Sequence, residues 1–103
     1  MTKIKGAEGG IDIELDEQVA QGQYANLAII SHSTTEFIVD FAAVLPGMPK
    51  AKVASRIILT PEHAKRLLYS LQENIARYES NHGMIEIHQR ETMPSSLTPV
   101  GEA

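Results

Sequence analysis

The sequence predicts an α+β fold: a four-stranded antiparallel β-meander followed by one long amphipathic helix packed on one sheet face. Three observations carry that expectation. Apolar residues alternate with polar ones, or cluster with β-branched neighbours, in four short segments between residues 11 and 59. Short breaks rich in Gly, Pro, Ser and Thr separate the later segments. From residue 60 the apolar period lengthens to that of a helix.

The elements follow in order. MTKIKGAEGG offers little to bury, so residues 1–10 read as a flexible leader, and with no apolar core it is no secretory signal. IDIELD places Ile11, Ile13 and Leu15 on one face and Asp12, Glu14 and Asp16 on the other, as in a strand with one wet side. EQVAQG is a connection or a short helical turn. The second and third strands span about residues 24–31 and 36–44, joined by SHSTT. So short a link makes them antiparallel, because parallel strands need a crossover of about a dozen residues or more. LPGMPK breaks the pattern, and the fourth strand covers about residues 52–59.

Thr60 and Pro61 are a good helix cap and first helical residue. Ala64, Leu67, Leu68, Leu71, Ile75 and Tyr78 then form one stripe, with Glu73 and Arg77 spaced for an ion pair, until Asn81 and Gly83 end the helix. The result is one domain over residues 11–83. A tail over residues 84–103 starts with a short strand at MIEIH and is otherwise expected to be disordered.

Composition narrows the function classes. The 103 residues are 43% apolar and 21% charged, as in a folded protein. A net charge of -4, with Lys and Arg scattered, argues against nucleic acid as a partner. The absence of cysteine excludes disulfides, thiolate metal sites and thiol nucleophiles. No apolar run reaches the ~20 residues of a bilayer span, so the expected compartment is the cytoplasm.

No residue set points to catalysis, and no enzyme activity or cofactor is expected. Ser31 and His32 are neighbours on a strand and point to opposite faces, so they cannot act as nucleophile and base. His82, Glu86 and His88 form only a loose metal-ligand set, read as surface residues. Lys50, Lys52, Arg56, Lys65 and Arg66 read as a solvated mixed-charge surface.

Partners are a different matter. A turn centred on Ser33 and Thr34 sets Ile30 opposite Phe37, and the next hairpin sets Phe37 across from Leu59 and Val39 across from Ile57. The pleat then puts Ala28, Ile30, Phe37, Val39, Phe41, Ala43, Val53, Ile57 and Leu59 on one face, which receives the helix. The other face carries Leu27, Ile29, Ile38, Ala42 and Ile58 and is nearly as apolar. One helix cannot cover both. Those five residues are therefore the expected interface of a homodimer or higher homo-oligomer, with a protein or peptide as a further partner. On that face Asp40 lies across from Arg56, and Asn26, Asp40 and Arg56 form a candidate ligand or ion-pair site.

The stretch from Tyr24 to Glu79 resembles a bacterial family known as domain of unknown function 3467. The resemblance rests on Y-x-N-x-x-x-I-x-H-S, on F-x-x-D-F, on the P-G loop and on S-R-I-I-L-T-P ahead of the helix. It implies a compact domain in a bacterial cytoplasm and transfers no catalytic residue. A looser analogy in fold alone is to SecB-type export chaperones, which hold unfolded chains in apolar grooves. The expected function is a small homo-oligomeric protein-interaction module. The alternatives are a SecB-like holdase and a ligand-binding protein or enzyme with a pocket at the dimer seam.

Overall fold

The computed structural model of the chain describes residues 2–4, 10–88 and 97–99. The elements in chain order are β1 (Thr2–Ile4), β2 (Ile13–Leu15), α1 (Glu17–Ala20), β3 (Leu27–His32), β4 (Phe37–Ala43), β5 (Lys52–Leu59), α2 (Pro61–His82) and β6 (Leu97–Pro99). The fold is α+β, an antiparallel sheet with one long helix.

The meander has three strands, β3, β4 and β5. The first strand expected from sequence, here β2, pairs instead with β1 in a separate ribbon, Ile4 opposite Ile13. The reason lies between β2 and β3. Asp16 caps α1, its carboxylate accepting the Gln18 N–H at 3.1 Å, and Gly22 turns the chain at φ 76°. That break is too long for a hairpin, and β6 occupies the free edge of β3, giving the order β5-β4-β3-β6. Thr2–Ile4 and Leu97–Pro99 are thus strands within the segments read as leader and tail. No strand forms at MIEIH. The expectation of disorder for residues 89–96 and 100–103 lies outside the described residues.

The β3–β4 turn is built by Ser33. Its N–H donates to the Glu36 carbonyl at 2.9 Å, and its hydroxyl accepts the N–H groups of Thr35 and Glu36 at 3.2 and 3.3 Å. This sets His32 opposite Phe37 and Ile30 opposite Val39, a shift of two residues from the expected pairing of Ile30 with Phe37. A shift of two leaves every side chain on its expected face. Phe37 pairs with Leu59, Val39 with Ile57 and Asp40 with Arg56, as expected. A bulge after Phe41 then makes Ala54 an extra residue and sets Val53 across from Ala42. Val53 therefore joins the face opposite the one assigned to it.

Asn26, just ahead of β3, prolongs the ladder with its side chain. Its Oδ1 accepts the Val44 N–H at 2.7 Å and its Nδ2 donates to the Val44 carbonyl at 2.9 Å. The carboxamide thus stands in for one more backbone pair.

Helix α2 starts one residue after β5. The Thr60 hydroxyl accepts the His63 N–H at 3.2 Å, and Pro61 occupies the first turn. Arg66 bonds Glu62, while Arg77 turns to Asn74 instead of the expected Glu73. Gly83 closes the helix at φ 93°, a backbone region that suits glycine. Twenty-two residues make a rod of about 33 Å.

The core is thin. Among the described residues the buried apolar side chains are Leu27, Ala28, Val39 and Ala42, and no large side chain is wholly enclosed. The helix borders one sheet face without closing on it. Leu67, Leu68, Leu71 and Tyr78 each remain about half exposed, and α2 buries no residue.

Candidate functional site

The main feature of the surface is an apolar groove between the first half of α2 and the sheet. Its floor is Ile30, Phe37, Val39 and Leu59; its wall is Pro61, Ala64, Leu67, Leu68 and Leu71, with Lys65 at the rim. It encloses about 590 Å³. Local chemistry explains why it stands open. Leu59 ends β5 and Pro61 begins α2, so Thr60 alone makes the turn and sets the direction of the helix. Beyond Leu71 the stripe continues through Ile75 and Tyr78. These line a second, smaller hollow with Asn74 and Ile85. The chain behind the helix is tied there by the Ile85 N–H, which donates to the Glu79 carboxylate at 2.9 Å.

The same face of the sheet continues into a third hollow, of about 910 Å³. Phe41, Ser55 and Ile57 form its floor, and Val19, Gly22 and Gln23 overhang it. The side expected to be sealed by the helix is therefore open at both ends. The groove is lined by apolar side chains, with Lys65 its one charged residue.

The five interface candidates stand differently. Leu27 and Ala42, on the central strands, are already covered within the chain, Ala42 to 1% exposure. Ile29 and Ile38 are half-buried, and Ile58, on the outer strand β5, is 56% exposed.

Asp40 and Arg56 meet as expected. The guanidinium grips the carboxylate at two points, Nε to Oδ1 at 2.8 Å and Nη2 to Oδ2 at 2.9 Å. The Asp40 side chain is 10% exposed and that of Arg56 60%, so the arginine lies over the aspartate like a lid. Hydrogen bonding to Arg56 holds the Asp40 carboxyl below the usual carboxylate range and raises the Arg56 value in turn. Asn26 does not join them. Its alternation places it with Ala28, on the other face, and its amide is engaged by Val44. The candidate triad is an ion pair plus a ladder clamp.

Several of the remaining polar candidates also have structural partners. His32 stacks on Phe37 with ring centres 5.2 Å apart, and Ser33 is occupied by its turn. Lys65 sits over the Tyr69 ring. His82 packs on Tyr78, and His82, Glu86 and His88 do not converge on a metal-holding position. Among the described residues no helix is long and apolar enough to cross a membrane.

Sequence reasoning found the stripe and the sheet faces but missed the groove. The signal was present: with one residue between strand and helix, the helix axis has little freedom to settle onto the sheet.

Comparison with known proteins agrees with the motifs. The family described as "Protein of unknown function (DUF3467)" matches residues 1–87. The chain belongs to that family. No curated protein and no solved structure matches it.

Proposed function

We propose that this member of the DUF3467 family is a homo-oligomeric protein-interaction module, and that its groove-bearing face is covered by protein when it works. One observation carries the reading. The chain holds two apolar surfaces of its own, the α2 stripe and the sheet face beside it, that face each other across open space. Soluble proteins rarely leave contiguous apolar patches of that size bare. At roughly 25 cal/mol per Å², covering ~400 Å² contributes about 10 kcal/mol before association costs are subtracted.

A ligand-binding or enzymatic reading is less well supported, because Asp40 and Arg56 engage each other and Asn26 engages the Val44 backbone. A holdase reading draws on the same groove, whose lining suits an extended apolar segment. Suppressed aggregation of a reduced model substrate would favour it.

The test is thermal unfolding over a hundredfold range of protein concentration. Folding coupled to assembly makes the melting temperature rise with concentration. A melting temperature that stays constant, with no binding of a hydrophobic dye to the native state, would overturn the proposal.

A further inference from the structure

We infer that the occupant of the groove is a second copy of this chain, whose α2 lies antiparallel to the first about a two-fold axis at Leu71. The inference rests on the interaction-module reading and names its partner.

Five of the six stripe residues are placed symmetrically, and Leu68, at -3 from Leu71, has the polar Asn74 as its counterpart. Ala64, Leu67, Leu71, Ile75 and Tyr78 stand at -7, -4, 0, +4 and +7 from Leu71. Laid antiparallel on its own copy, the helix sets Ala64 against Tyr78, Leu67 against Ile75, and Leu71 against Leu71. The smallest residue meets the largest, the alternation that lets facing side chains interdigitate. An isologous contact requires this kind of self-complementarity.

Charge agrees with the pattern. Lys65 and Glu79 lie at -6 and +8 from Leu71 on one flank of the stripe. The antiparallel arrangement therefore sets Lys65 of each chain about 3 Å along the helix axis from Glu79 of the other.

Exposed apolar surface runs the length of the stripe: Leu67, Leu68, Leu71 and Tyr78 are each about half exposed, and Ile75 is exposed as well. The helix cannot fill the groove from its own side, because the single-residue turn at Thr60 fixes where it lies. A second helix beside the first would fill the groove and cover Ile75 and Tyr78 together, leaving two helices between two sheets.

The chain has no cysteine, so a single introduced thiol reports unambiguously. Leu71→Cys is oxidised mildly and run on a non-reducing gel, beside Ile58→Cys on the opposite sheet face. The expected result is a covalent dimer from Leu71→Cys and none from Ile58→Cys. Mixed Ala64→Cys and Tyr78→Cys chains should form a heterodimeric bridge that neither forms as readily alone, which covers the case in which Leu71→Cys does not fold. Lys65→Glu and Glu79→Lys should each weaken the dimer several-fold, and the double variant should restore it. A dimer in sedimentation that crosslinks as the Ile58→Cys variant and not as the Leu71→Cys variant would overturn this inference and leave the interaction-module reading standing. A monomer in which the thiol of the Leu71→Cys variant reacts freely would end both.

Discussion

Replacing Asn26 by alanine removes two hydrogen bonds, at 2.7 and 2.9 Å, that tie the entry to β3 to Val44 at the end of β4. Each such bond contributes about 1 kcal/mol net, and more if the abandoned group cannot reach water. Val44 is half-buried, so water satisfies part of what is lost. The expected cost is about 1–3 kcal/mol, with a fall of about 4–8 °C in melting temperature for each kcal/mol in a domain of this size. Circular dichroism melts at one fixed protein concentration measure it. Asn26→Asp sharpens the test. It retains the acceptor, but at neutral pH it sets a carboxylate against the Val44 carbonyl. Folding then favours the protonated acid, whose O–H takes over the donor role, and this raises the folded-state pKa. The stabilising contact is therefore present below the unfolded value, about 3.9, and lost as pH rises through the folded value. The gap between Asn26→Asp and the parent chain should narrow on acidification. If Asn26→Ala melts within about 1–2 °C of the parent, less than one such bond would give, the clamp is not structural, and Asn26 returns as a ligand contact.

Three more tests draw on the same geometry. The Asp40 carboxyl is held below its unfolded value, so its contribution is present above about pH 4 and lost as pH falls through the folded value. Asp40→Asn should be less stable than the parent at about pH 7, and the gap should narrow as pH falls below about 4 in parallel urea titrations; a difference independent of pH would contradict the ion-pair role. Thr60→Ala removes the cap that accepts the His63 N–H and should cost about 1 kcal/mol, whereas Thr60→Ser should cost much less; equal losses would point away from capping. Leu71 is 53% exposed in the single chain, so covering the rest of it gains about 1 kcal/mol per copy. Leu71→Ala should then weaken a symmetric dimer by about 2 kcal/mol, roughly thirtyfold in dissociation constant by sedimentation, and an unchanged constant would remove Leu71 from the axis.

Much of this fold was legible in the residues, and the misses have physical causes. The β4–β5 register could be read because a wrong slip would have turned Phe37, Val39, Ile57 and Leu59 to the wrong side. The β3–β4 register moved by two because the hydroxyl of Ser33, rather than apolar pattern, chose where the chain turns. Helix α2 was plain from Thr60, Pro61 and the stripe. Its stand-off from the sheet was not, since period reports which side of a helix is apolar and not what lies opposite. β6 could not be anticipated, because Pro and Ser in the tail carry no strand pattern. The Asp40–Arg56 pair followed once the register was known. The bond of Asn26 to Val44 was not legible, because a carboxamide bridging a ladder leaves no mark in a pattern of alternation.

Assembly of this chain with a second copy is the claim on which the proposed function depends. Sedimentation equilibrium at tens of micromolar tests this most directly. A mass of twice 11.3 kDa is the predicted result. A single species at 11.3 kDa, folded and cooperative on heating, would contradict it.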